Sequence, residues 1–285
     1  MSPAPSDAER LEAQYNPRVA VPEFERYLED FAALSRAARG RLEGTLDLAY
    51  GDSALQTLDV FPAAGEAPPI NLFIHGGYWR GLDKSDHSYL ALPLVAAGAT
   101  TVVLNYDLCP RVSVDDIVGQ VRAGVAWVYR HGRELGGDPE RLYLSGHSAG
   151  GHLAVMAMAH DWAGAEGLPG DLVKGVTAVS GVYDLAPVLD ISVNEEIGLT
   201  PEMARRNSPL LAPPRPACPL LLAIGERETP AWIAQSVDFH AACRARGVDV
   251  ELLRVPGEHH FSIALALADP ATALFQALLA QMGLG

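Results

Sequence analysis

The chain has 285 residues, 49% of them hydrophobic, and carries 35 acidic against 21 basic side chains for a formal net charge of −14. That balance argues against a protein that tracks nucleic-acid phosphates and against one that lies on an anionic membrane, and it leaves a small neutral or zwitterionic molecule as the readiest partner. No linker of distinct composition and no repeat of fixed period divides the sequence, so 1–285 reads as a single α/β domain with an N-terminal helical extension at about 1–40.

The first residues, MSPAPSDAERLEAQYNPR, lack a basic stretch followed by an apolar one. No apolar run reaches the ~18 residues of a membrane-crossing helix, and a cytoplasmic protein is expected. A helix is expected over 22–39. After it, strand-like runs at 56–61 (QTLDVF), 70–75 (INLFIH), 100–105 (TTVVLN), 141–145 (RLYLS), 173–180 (VKGVTAVS), 219–224 (PLLLAI) and 248–255 (VDVELLRV) alternate with helical stretches at 88–97, 114–131, 149–160, 231–246 and 263–281. The alternation predicts an α/β fold: a mostly parallel central sheet, right-handed crossovers and helices on both faces. Functional loops then belong at the carboxyl ends of the strands. An exposed edge strand of such a sheet could also support a homodimer.

Between the run at 141–145 and the helix at 149–160 stands GHSAG, a G-x-S-x-G pentapeptide at 146–150. A strand–turn–helix context is what a nucleophile elbow requires, with Ser148 on the strained turn and Gly146 and Gly150 where Cβ atoms would collide. A serine hydroxyl is a poor nucleophile at neutral pH. It needs a histidine base, and the histidine needs an acid that fixes its tautomer. Both follow downstream, each after a strand: GERETP at 225–230 and PGEHHF at 256–261. Glu228 is favoured over Glu226 and Asp249 as the acid, and His260 over His259 as the base, although residue chemistry alone barely separates the two histidines.

Charge developing on a carbonyl oxygen calls for backbone N–H groups already aimed at it. HGGYW at 75–79 follows the strand at 70–75, and its paired glycines let the main chain approach a substrate. Gly76, Gly77 and Ala149 are therefore expected to supply the oxyanion hole, with His75 anchoring the loop. The three cysteines, Cys109, Cys218 and Cys243, form no CxxC pair and read as reduced core residues. The nine histidines contain neither HExxH nor a zinc-like spacing, so no metal and no cofactor is expected.

With HGGYW, YDLCP at 106–110, GHSAGG, SGVYDL, GERETP and HHF in hand, the chain resembles the α/β-hydrolase kynurenine formamidases, or arylformamidases, within the wider HGG-bearing esterase and lipase group related to hormone-sensitive lipase. The resemblance runs from about residue 15 to the C-terminus. It implies an α/β-hydrolase fold and a triad of Ser148, Glu228 and His260, the last preceding Phe261 as in the family's H-F pair. One departure is that the family's acid is usually Asp and here is Glu. The implied reaction is hydrolysis of N-formyl-L-kynurenine to L-kynurenine and formate through a formyl-enzyme, with Tyr78 and Trp79 stacking on the aryl ring. A carboxylesterase for short-chain or aryl esters shares the whole apparatus, and a hydrolase-fold binding protein without chemistry is a more remote reading.

Overall fold

The structure is a computed structural model and describes residues 5–215 and 217–285. Strands β1 (Thr45–Ala49), β2 (Thr57–Phe61), β3 (Pro69–Ile74), β4 (Thr100–Leu104), β5 (Asp138–His147), β6 (Val173–Val179), β7 (Leu220–Gly225) and β8 (Val250–Val255) make one sheet in the order β1-β2-β4-β3-β5-β6-β7-β8. Antiparallel pairing is confined to β1–β2 and β2–β4, and the strands from β3 to β8 run parallel.

Strand alternation sends Ile70, Leu72 and Ile74 to one face and Phe73 to the other. The first set joins a core with Val114, Ile117 and Val121 of the helix Val114–His131 and Leu153 of the helix Ala149–Met158. Phe73 packs instead with Phe31 of the helix Phe24–Arg39, Leu94, and Phe275 of the helix Ala273–Gln281. Burial on both faces explains why β3 and β4 are continuous apolar runs. The helix Val114–His131 starts at a capping box in which the Ser113 side chain accepts from the Asp116 N–H and the Asp116 carboxylate accepts from that of Ser113.

Three expectations change. The edge strand β1 has no counterpart in the sequence reading, because it is short and largely exposed and so lacks an apolar run. The single helix expected over 263–281 is two, Ser262–Ala266 and Ala273–Gln281. Pro270 interrupts it, and Thr272 caps the second piece by accepting from the Phe275 N–H. The N-terminal region holds two further helices, Asp7–Tyr15 and Pro17–Ala20, before Phe24–Arg39.

Candidate active site

The end of β5 delivers Ser148 on a sharp turn with φ 57° and ψ −123°, a conformation that costs a non-glycine residue about 1–3 kcal/mol. The surroundings hold it there. The Ser148 N–H donates to the Val179 carbonyl of β6 at 2.8 Å. A Cβ on Gly146 would lie 2.3 Å from the Gly150 carbonyl oxygen, and one on Gly150 would lie 2.0 Å from that of Ile74. Only glycines let β3, β5 and the following helix approach this closely.

Ser148 meets the two loops expected to face it. Its Oγ lies 3.0 Å from His260 Nε2, and His260 Nδ1 lies 2.9 Å from Glu228 Oε2. Proton chemistry assigns the directions: Nδ1–H donates to the carboxylate, which leaves Nε2 free to accept from the serine hydroxyl. The other carboxylate oxygen, Oε1, accepts from the Gly225 N–H at 3.0 Å and from the Ser180 hydroxyl. Glu226, by contrast, is exposed. The His260 ring is clamped edge-on by Trp232 at 4.7 Å and flanked by His147 at 4.9 Å. His147 Nε2–H donates to the His260 carbonyl at 2.7 Å, and burial pushes the His147 imidazole well below its ordinary range, so it stays neutral.

The neighbouring histidine has another task. His259 Nδ1 accepts from the N–H groups of Phe261 and Ser262, and Nε2 faces the Tyr27 hydroxyl at 3.1 Å. It joins the loop to the helix Phe24–Arg39.

After β3, Gly76 packs so close to the elbow that a Cβ there would lie 2.8 Å from the His147 carbonyl oxygen. Gly77, Tyr78 and Trp79 then take positive φ values of 101°, 52° and 56°. Tyr106 supports this turn: its hydroxyl donates to the His75 carbonyl at 2.7 Å and its ring stacks on the His75 imidazole. The YDLCP segment therefore braces HGGYW, and the Cys109 N–H donates to the Trp79 carbonyl at 2.8 Å. The expectation that Trp79 stacks on a substrate is corrected. The left-handed turn drives its indole into the core, fully buried and edge-on to His152, away from the lining of the cavity beside Ser148. Tyr78 does line the cavity beside Ser148.

The α/β-hydrolase fold family matches residues 71–264, which spans the elbow, both glycine loops and the acid and histidine loops. A kynurenine formamidase of Salmo salar is 37% identical over 254 residues, 86% of this chain and 84% of that protein. One of Danio rerio is 34% identical over 288 residues, 96% of each. The chain belongs to the kynurenine formamidase family of α/β hydrolases. It is a hydrolase acting on small molecules. The fold is shared more widely: the thermophilic carboxylesterase EstE1, from a metagenomic library, superposes with a TM-score of 0.74 at 22% identity, covering 92% of this chain and 95% of its own.

In this member of the kynurenine formamidase family, an N-terminal segment roofs the site. A cavity of about 40 Å³ opens on Ser148 and His260 between Tyr78 and the side chains of Asn16, Pro17 and Arg18. Another of about 60 Å³ touches His260, Glu228 and Trp232 and is closed by Gln14 and Pro17. The segment is tied to both loops beneath it. The Tyr78 hydroxyl donates to the Tyr15 carbonyl at 2.6 Å, Thr229 Oγ1 donates to the Gln14 carbonyl at 2.7 Å, and the Ala231 N–H donates to Gln14 Oε1 at 3.1 Å. Sequence reasoning leaves open whether the N-terminal helix covers the pocket, and it misses the support of Glu228 by Ser180. The capping box of Ser6 and Glu9, and Asn16 before Pro17, are legible helix starts that mark the segment. Among the described residues no three His, Cys, Asp or Glu side chains converge as a metal site, and no helix is long and apolar enough to cross a membrane.

Proposed function

We propose that the chain hydrolyses aryl formamides, with N-formyl-L-kynurenine as substrate, giving the free arylamine and formate. The observation that carries this reading is the hydrogen-bonded line from Ser148 through His260 to Glu228, opening on a cavity of about 40 Å³ in a chain of this family. Ser148, His260 and Tyr78 line that cavity together, so a carbonyl group entering it meets the nucleophile and its base.

Ser148 Oγ attacks the formyl carbon while His260 Nε2 takes its proton, and Glu228 steadies the imidazolium. The oxyanion is met by the N–H groups of Ala149, Gly76 and Gly77. Support for these donors is local: Ala149 opens a helix, so its N–H has no intrahelical acceptor, and Gly76 is in close contact with the elbow. Collapse of the intermediate expels the aniline nitrogen, which takes the proton from His260. Water, deprotonated by His260, then attacks the formyl-enzyme and releases formate. Free Cys109, Cys218 and Cys243 suit a reducing, cytoplasmic setting, and the charge of −14 speaks against nucleic-acid or membrane partners.

The test compares kcat/KM on N-formyl-L-kynurenine with that on p-nitrophenyl acetate, with Ser148→Ala alongside. Preference for the formamide and loss of both activities in the variant is expected. Brisk ester cleavage without formamide turnover would leave a carboxylesterase instead.

A further inference from the structure

The charged side chains that line the catalytic cavity are basic in a chain that is acidic as a whole. The molecule carries −14, yet the charged side chains lining the cavity beside Ser148 are Arg18 and Arg80, and no carboxylate lines it among the described residues. Arg80 is mostly buried and ion-paired with Glu196, with its Nε left without a partner. Arg18 forms no ion pair among the described residues and holds its guanidinium over the Phe24 ring, 5.2 Å from the centroid. Glu196 and Glu25 lie within Coulombic reach of Arg18 without bonding to it, and Arg80 repels it. Arg80 is taken up by Glu196, so Arg18 is the guanidinium left open where the segment meets the cavity. A planar guanidinium with open donors matches a carboxylate.

We propose that Arg18 is a carboxylate-binding site at the mouth of the catalytic cavity, so that the enzyme selects formamides and esters whose leaving group carries an anionic carboxylate. The inference rests on the formamidase reading for its natural substrate, an amino acid, and on geometry alone for the charge preference. The N-terminal roof then has a recognition role, because it brings Arg18 to the cavity on which Ser148 opens.

The experiment uses two activated esters that differ by one carboxylate, 3-carboxy-4-nitrophenyl acetate and 4-nitrophenyl acetate, with the wild-type protein, Arg18→Gln and Arg18→Lys. The readout is the ratio of kcat/KM for the anionic ester to that for the neutral one, which cancels any general loss of folding or chemistry. The ratio is expected to fall at least 10-fold in Arg18→Gln, mainly through KM, to be partly restored in Arg18→Lys, and to decline with added salt in the wild type. A ratio in Arg18→Gln within twofold of wild type overturns the proposal. Failure of the wild type to hydrolyse N-formyl-L-kynurenine, with the charge preference intact, would overturn the substrate while supporting the carboxylate site.

Discussion

The hydroxyl of Tyr78 donates to the main-chain carbonyl of Tyr15 across 2.6 Å, so the loop that follows β3 holds down the segment that covers Ser148. Tyr78→Phe removes this bond and little else, a net change of about 0.5–1.5 kcal/mol. Amide exchange over residues 7–20 is expected to quicken severalfold while that of β5 is unchanged. Equal protection in the two proteins would show that the bond does not restrain the roof.

Glu228 serves three donors at once, from His260, Gly225 and Ser180. Glu228→Gln keeps the shape but loses the acceptor that fixes the imidazole tautomer, and kcat is expected to fall by about 10³–10⁴ with KM little changed. Glu228→Asp is one methylene short of its partners and should lose about 10²-fold. Steady-state kinetics on p-nitrophenyl acetate decide it, and a loss below threefold for the Gln variant would remove Glu228 from the triad.

The elbow tolerates no methyl group at its base. Gly150→Ala places a Cβ 2.0 Å from the Ile74 oxygen and 2.6 Å from that of His75, both backbone. A loss of about 3 kcal/mol or more is expected, measured by urea unfolding. Gly119→Ala is the contrast: it lies exposed within the helix Val114–His131, a Cβ there meets nothing within 4 Å, and a gain of about 1 kcal/mol is expected.

Acid should destabilise the fold through its buried imidazoles. Burial pushes His152 down to about 4 and His87 to about 3, from 6.5. Each binds fewer protons folded than unfolded, so its contribution is fully present above pH 6.5 and is lost as pH falls toward the folded value. Within that window each costs about 1.4 kcal/mol per pH unit. His152→Gln, which can still donate to the Asn207 carbonyl, should flatten the stability profile between pH 6 and 5 by about one proton. An unaltered slope of urea midpoints against pH would refute the assignment.

The parts of this molecule legible in its sequence are those governed by local chemistry. β3 and β5 announce themselves by apolar runs, and the elbow by glycines whose missing Cβ atoms are a steric necessity. Ser148 follows from its strand end and glycines, and chain order places an acid and a histidine in the two later loops without separating His260 from His259. What escaped depends on backbone sign and on distance along the chain. Nothing in HGGYW says that φ turns positive at both Tyr78 and Trp79, which is what points the indole inward. Nothing near Glu228 marks Ser180, 48 positions earlier, as its partner. β1 is exposed and short, and an edge strand of that kind has no pattern to read.

The bond from Thr229 to the Gln14 carbonyl spans 215 positions. On a ribosome the roof emerges long before Thr229 and Ala231, two of the residues that anchor it. A nascent chain holding the elbow but not yet residues 225–260 has a serine without a base and a roof held by Tyr78 alone of the three residues that bond to its backbone and to Gln14. Such a long-range closure is slow to form. The same late segment therefore completes both the base for Ser148 and the fastening of the roof above it.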